Sequence, residues 1–222
     1  MNKTLAAFLL IFVTALASAQ ITQRAGNYLF RMKFTPGSTM TYKVISSMGG
    51  KASGDNTMKI SLPMVWKVVS VSKGIATVDT SVGPVTVGTQ TMMQPTKNRL
   101  QINALGQVQG GRGQGQQVSP TLPAKPIRVG QSWSANTPVS MPMGQQQKLT
   151  ATYTFKGVKM VTGKQVAELG VVTTGQATGS GSMLLLVSDG SVYQSMLKMN
   201  LTVKTPDGKP ATYLVTANIQ RQ

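Results

Sequence analysis

The chain has 222 residues, of which 22 are Lys or Arg and 5 are Asp or Glu, so its formal net charge is +17. It contains neither Cys nor His, which removes the usual ligands of zinc, copper and haem. The Cys–His and Ser–His nucleophile pairs are missing for the same reason. We therefore expect no catalytic residue, no metal site and no cofactor.

Residues 1–19 are predicted to be a signal peptide. Lys3 supplies a positive start, the segment from Leu5 to Leu16 supplies an apolar stretch, and Ala17-Ser18-Ala19 supplies the small residues of a cleavage site. We expect cleavage between Ala19 and Gln20 and a secreted or periplasmic protein of the bacterial cell envelope. No later segment reaches the ~18 apolar residues that a membrane helix needs, so no membrane span is expected.

Short strands separated by turns are predicted for the rest of the chain. The segment Tyr28–Phe34 alternates large apolar and basic residues, and Pro36-Gly37 interrupts it. A strand over Met40–Ser46 follows. Pro63 separates the next two predicted strands, which indicates an edge position or a bulge because proline cannot donate a ladder hydrogen bond. No long helical periodicity occurs anywhere after the signal peptide.

Two parts of the chain resemble each other. When they are aligned at one fixed offset, Trp66 meets Phe155 and Lys67 meets Lys156, each pair shortly before a glycine turn. Upstream, Pro36-Gly37-Ser38 resembles Val129-Gly130-Gln131. We expect a first β repeat over 20–108, a Gly/Gln/Pro-rich linker over 109–126 and a second β repeat over 127–222, as separate domains or as one joint domain.

The predicted fold is all-β. We expect an antiparallel sheet that forms a barrel, a half-barrel or a sandwich from two similar halves. A chain of this length can bury roughly 70% of its unfolded surface, so the missing disulfides do not argue against a stable core.

One segment carries a family resemblance. The stretch LPAKPIRVGQSW, from Leu122 to Trp133, resembles a segment of the uncharacterised exported bacterial proteins of the DUF6263 type. Pro36-Gly37 followed by Tyr42, and the segment from Ser188 to Val192, match two further motifs, whereas Gln131 stands where the family has an acid. The resemblance implies export and a β architecture, and no activity. The strand-rich layout is also similar to LolA-like lipoprotein carriers, although no helix is predicted here.

The positive charge has two interpretations. The basic residues stand singly along the chain, with no adjacent pair of Lys or Arg, which is typical of a solvated lysine-rich sheet surface. The same charge would also attract polyanions such as lipid headgroups, acidic polysaccharide or extracellular nucleic acid. We expect a lipid or an anionic polymer as partner and no specific nucleic-acid partner; the oligomeric state stays open.

Five residues are candidates for ligand binding: Trp66, Lys67, Trp133, Lys156 and Met160. The two Trp rings suit a core or a ligand platform, and the 14 Met residues suit core filling or an adaptable apolar pocket. The two Lys side chains are expected at the rim of a sheet, where they either reach into solvent or bind a headgroup.

Three functions follow from these residues. The first is a non-enzymatic exported protein that binds an amphipathic or lipid-like anionic ligand. The second is a structural or adhesive protein that binds acidic envelope polymers through its charge. The third is a hydrolase that uses two carboxylates, which the spacing of the five acids disfavours.

Overall fold

In the computed structural model, the described residues are 20–49, 58–87, 90–109, 120–140, 146–175, 177–204 and 210–222, and they contain strands and turns but no helix. The strands are β1 (Ile21–Arg24), β2 (Asn27–Phe30), β3 (Thr39–Gly49), β4 (Met58–Ser72), β5 (Ile75–Val82), β6 (Val85–Val87), β7 (Gln90–Met93), β8 (Thr96–Asn103), β9 (Val108–Gln109), β10 (Ser132–Ser140), β11 (Gln146–Val161), β12 (Lys164–Thr174), β13 (Ala177–Leu186), β14 (Val192–Lys204) and β15 (Pro210–Arg221).

One large sheet contains all strands except the first two. Its order is β10-β11-β12-β13-β14-β15-β3-β4-β5-β8-β9, with β6 and β7 attached to β4, while β1 and β2 form a separate hairpin. Neighbouring strands pair antiparallel throughout. The predicted all-β antiparallel fold is confirmed, and because β10 and β9 end the sheet at separate edges it is not closed into a barrel.

The last strand joins strands of the two predicted repeats. β15 lies between β14 and β3, with Ala217 opposite Ser46 and Ile219 opposite Val44. The backbone N–H of Gln222 also donates to the carbonyl of Thr41 at 2.9 Å. Strands from the two predicted repeats therefore belong to a single continuous sheet.

The sheet has one buried face. Side chains alternate between the faces of a strand, and most of the buried hydrophobic ones form a single cluster that includes Tyr42, Trp66, Val78, Phe155 and Leu169. We call this side the inner face and the opposite side the outer face.

Two segments cover one end of the inner face. The β1–β2 hairpin brings in Phe30, whose ring lies edge-on to Phe155 with centroids 5.1 Å apart. A backbone bridge joins Tyr28 to Ile127, with N–O distances of 2.7 and 2.9 Å, and so fastens the hairpin to segment 120–131. Leu122 is buried there, although it lies in the predicted linker.

Two predicted strand boundaries differ from the structure. The strand expected over Tyr28–Phe34 ends at Phe30, where the Arg31 side chain turns to donate to the carbonyls of Pro123 (3.0 Å) and Ala124 (2.8 Å). Pro63 does not interrupt a strand: β4 runs through it, between β3 and the strands β5 and β6. Its missing N–H lies where β5 ends and β6 begins, and the register shifts there by one residue, from Met64 opposite Val82 to Ser61 opposite Thr86. The predicted irregularity at Pro63 is therefore present, but within one continuous strand.

Close strand approach occurs between β13 and β14. A Cβ atom at Gly179 would collide with the carbonyl oxygen of Lys198, and one at Gly181 would collide with that of Met196. Only glycine allows the two backbones to come this near. These two glycines therefore determine how closely the sheet packs at its centre.

Candidate ligand-binding site

Both Trp rings pack on the inner face against the chain itself. Trp66 is 1% exposed, its Nε1 donates to the Met64 sulfur at 3.1 Å, and its ring lies edge-on to Tyr42. Trp133 is half-buried, donates from Nε1 to the carbonyl of Thr121 at 2.8 Å, and stacks on Tyr153 with centroids 5.3 Å apart. Their surroundings are those of core residues.

Two turns position these strands in the same way. The N–H of Gly37 donates to Val68 O (2.8 Å), and Val68 N–H donates to Ser38 O (2.9 Å). In the second half, Gly130 N–H donates to Phe155 O (2.7 Å), and Phe155 N–H donates to Gln131 O (3.0 Å). A β-bulge shifts the strand register directly after Val68 and directly after Phe155, that is, between Val68 and Ser70 and between Phe155 and Gly157.

The two candidate lysines occupy different places in these motifs. Lys156 is the extra residue of its bulge, where Val69 stands in β4, whereas Lys67 lies before the bulge. Both are exposed on the outer face, six strand positions apart in the sheet order, which is roughly 29 Å along the sheet. They do not share a binding site, and Met160, 64% exposed, lies near the β11–β12 turn.

Lys67 lines a cavity of about 610 Å³ on the outer face of β4, β5 and β8, which we call the β4–β8 groove. Its lining comprises Thr39, Val65, Lys67, Asp79, Thr80, Ser81, Lys97, Asn98 and Arg99. Arg99 Nε and Nη2 donate to the two carboxylate oxygens of Asp79 at 2.6 and 3.0 Å. These hydrogen bonds, together with the charges of Arg99 and Lys67, hold the pKa of Asp79 below its usual value.

A second polar cluster lies where β3, β15 and the β13–β14 turn meet. Asp189 accepts from Arg221 Nη1 at 2.7 Å and from the N–H and Oγ of Ser191 at 2.9 and 2.6 Å. Burial raises the pKa of the neighbouring Tyr42 to about 12; the Asp189 charge adds to the effect, while Arg221 and the Ser191 hydroxyl oppose it. The cluster fastens the turn to the sheet.

The part of the inner face that no other described segment covers is a third feature, which we call the inner trough. Its floor spans β13, β14, β15, β3 and β4, and its described side chains are half-buried and mostly apolar: Val44, Met48, Ile60, Leu62, Leu197, Met199, Val215, Ala217 and Ile219. Small residues at Gly181, Ala217 and Ser46 stand in register in one row across it. Sequence reasoning missed this surface, because its residues come from strands distant in sequence.

Two buried hydroxyls on the inner face have no hydrogen-bond partner within the described part of the chain. Ser195 is 1% exposed and stands opposite Ile219 in the row beside Val44 and Leu62. Thr173 is 2% exposed and stands opposite Gly179 at the β12 side of the trough. A buried hydroxyl without a partner costs about 1–3 kcal/mol, so such groups are uncommon.

Each of the described acidic residues forms an ion pair with a basic residue. Asp79 pairs with Arg99, Asp189 with Arg221, and Glu168 with Lys159 at 2.6 Å. Over the described ranges, no three acidic side chains come together in a way that could hold a metal ion. Within those ranges there is also no helix long and apolar enough to cross a membrane.

Several predictions fall outside the described residues. These include the signal peptide with Ala19, and residues 110–119 of the predicted linker. Gln20 is the first described residue, and its N–H donates to the carbonyl of Val187 at 3.1 Å.

Comparison with known proteins gives little. No protein-family model matches the chain, and no curated protein matches it. Five solved chains match, among them a DUF1329 family protein from Desulfovibrio piger ATCC 29098, which is 9% identical over 84% of each chain with a TM-score of 0.28. Similarity this low carries no argument about fold or function. The resemblance to DUF6263-type proteins stays a prediction.

Proposed function

We propose that this chain is a non-enzymatic, exported protein of the bacterial cell envelope that binds an amphipathic, lipid-like ligand in the inner trough. The observation that carries the proposal is the combination of an apolar, half-buried sheet surface with two buried hydroxyls that lack partners. Ligand sites that bury apolar molecules have this composition: an apolar lining and a few placed polar groups.

The apolar part of the ligand would contact the trough side chains. Leu197, Met199 and Val215 lie on adjacent strands β14 and β15 and are only partly covered by the chain. Each Å² of apolar surface removed from water contributes about 25 cal/mol, so a long alkyl chain laid across these residues gains substantial free energy. Met side chains adapt to differently shaped alkyl chains.

The polar part of the ligand would bind the buried hydroxyls. Ser195 and Thr173 lie on the two strands that flank β13, and a carboxyl, ester or hydroxyl group of a lipid would reach one of them once the side chains that cover it move aside. Folding has already removed water from these two hydroxyls. A hydrogen bond from the ligand would therefore satisfy them without a further desolvation cost on the protein side. The ligand class is that expected from the sequence, but the site lies on other residues than Trp66, Lys67 and Lys156.

The test is binding of a fluorescently labelled fatty acid to the full chain and to two matched Trp variants. Ala217→Trp places a large ring in the middle of the trough, and we expect it to weaken binding at least about tenfold. Ser180→Trp places the same ring on the exposed outer face, between the two close-packed glycines, and should leave binding unchanged. Loss of binding in both variants, or no binding by the parent chain, would contradict the proposal.

A second pair of variants tests the hydroxyls. Ser195→Ala and Thr173→Val remove groups that have no partner within the described chain, so stability should hold or rise while affinity for the fatty acid falls. If either variant lost stability and kept its affinity, the hydroxyl would have a structural role instead. Because burial of apolar surface dominates, binding of the parent should change little between low and high salt.

A further inference from the structure

The positive charge of the sheet is concentrated on its outer face. Basic strand residues on that face include Lys43, Lys59, Lys67, Lys97, Arg99, Lys156, Lys159 and Lys198, whereas the acids described there are Asp79 and Glu168. Arg221, which pairs with inward-facing Tyr42, is bound to Asp189. The charge is thus one-sided, and the β4–β8 groove lies on the charged side.

The groove places three cations around one acid. Lys67, Asp79 and Arg99 stand in one row across β4, β5 and β8, and Ser81 and Lys97 stand in the next row. With strands ~4.8 Å apart, Lys67 and Arg99 are rooted about 10 Å from each other, and Lys97 is rooted about 7 Å from Arg99 along β8. An anionic group lying over Ser81 is within reach of all three side chains.

The Asp79–Arg99 ion pair neutralises only part of the positive charge in the groove. Asp79 binds one edge of the Arg99 guanidinium through two hydrogen bonds, which orients that side chain. Neither Lys67 nor Lys97 has an ion-pair partner within the described residues. The local balance of three cations and one acid favours an anion.

The lining decides what kind of anion fits. Thr39 and Ser81 contribute hydroxyl groups on the outer face, and Val65 is the only large apolar side chain of the lining. Such a surface suits a hydrated ligand that carries its own hydroxyls, and it offers little to an acyl chain. We infer that the β4–β8 groove binds the carboxylate groups of an acidic polysaccharide, with Lys67 and Lys97 as the charge-binding residues. This site lies on the opposite face from the inner trough and does not depend on it.

The experiment measures binding of polygalacturonate to the full chain at low and moderate salt. The double variant Lys67→Gln/Lys97→Gln should weaken binding about tenfold and flatten its salt dependence, because two ionic contacts are lost. The matched control, Lys59→Gln/Lys198→Gln, removes the same charge from exposed outer-face positions beyond the groove and should weaken binding less than about threefold.

A third variant moves affinity in the opposite direction. Asp79→Asn removes the acid between the cations and frees the Arg99 guanidinium, so it should strengthen polygalacturonate binding several-fold. A protein whose groove had only a structural role would not show this gain. Circular dichroism of each variant confirms that the sheet is retained.

Three results would overturn the inference. Equal losses in the two double lysine variants would mean that the charge acts over the whole face. No binding of polygalacturonate by the parent chain would remove the ligand class. If phosphatidylglycerol vesicles bound in its place, and the groove variant lost that binding, the groove would be a membrane contact. Failure of the fatty-acid experiment would affect none of these outcomes.

Discussion

The turns that start β3 and β10 share one backbone arrangement and differ in their side chains. Gly37 and Gly130 have φ angles of 82° and 87°, and each turn closes with a backbone hydrogen bond, from Ser38 to Thr35 (3.0 Å) and from Gln131 to Arg128 (3.1 Å). Each turn also pairs with a strand that bulges at the next residue. The repeated element is therefore the turn with its bulge.

The inward side chains after the turns differ. In the first half, Met40 stands opposite fully buried Trp66, and in the second half half-buried Trp133 stands opposite Tyr153. Two residues further along, β3 carries the buried Tyr42 where β10 carries a half-buried Ala. The same backbone thus supports a closed core in one half and a more open one in the other.

The largest expected effect separates the two Trp residues. Trp66→Ala should lower the free energy of unfolding by about 3–5 kcal/mol, because it leaves a cavity in a fully buried site. Trp133→Ala should cost less, about 2 kcal/mol, since part of its ring is already exposed and the carbonyl of Thr121 can turn to water. Urea unfolding of both variants measures the difference. If Trp133→Ala lowered the free energy of unfolding as much as Trp66→Ala or more, the core would be as well packed around Trp133 as around Trp66.

The next effect concerns Tyr42, whose equivalent position in β10 is occupied by Ala135. Its pKa in the folded chain is about 12, against about 10 in the unfolded chain. Between these values the unfolded chain loses the phenolic proton first, so the free energy of unfolding falls as pH rises, by about 2–3 kcal/mol at pH 12. Below pH 10 this contribution is fully present.

Tyr42→Phe isolates that contribution. Near pH 8 the variant should be as stable as the parent or less stable by about 1 kcal/mol, because the hydroxyl makes a long contact to the Met40 sulfur at 3.7 Å and interacts with the Ser191 hydroxyl. Near pH 12 the variant should be the more stable protein. Parallel stability curves for the two proteins across this range would show that Tyr42 ionises at its ordinary pKa.

The smallest expected effects are equal losses of stability in two glycine variants. Gly37→Ala and Gly130→Ala should each cost about 1–2 kcal/mol, because both positions have positive φ, while an added Cβ meets no atom within 4 Å at either. Unfolding free energies that differ by more than about 1 kcal/mol would show that the two turns carry different strain despite their common hydrogen bonds.

Much of the fold could be predicted from local patterns. Alternation of apolar and polar residues and the glycine turns indicated an all-β antiparallel chain, and Gly37 and Gly130 were aligned correctly as related turns. The fixed offset failed at the lysines because the hairpin arm beyond the bulge is longer in β11 than in β4. A bulge adds one residue without changing composition, so periodicity does not reveal it.

The candidate sites were less predictable. Lys67 does line a groove, but its partners there, Asp79, Lys97 and Arg99, come from two other strands and were not foreseen. Lys156 lies far from them, with its side chain beside Gly170 of β12, where a Cβ would come within 3.2 Å of it. The inner trough depends on pairing between β15 and β3, which are distant in sequence.

By itself, the sequence determined the strand-rich composition, the absence of Cys and His, the positive charge and the turns that need glycine. These are local or compositional properties, because each depends on one residue or its immediate neighbours. Only the tertiary structure decided that the two halves join through β15 and that the basic strand residues lie on one face. It also decided that Trp66 is fully buried whereas Trp133 is half-buried. Strand order and facing depend on long-range pairing, where many arrangements satisfy the same alternation and only the packed core selects one.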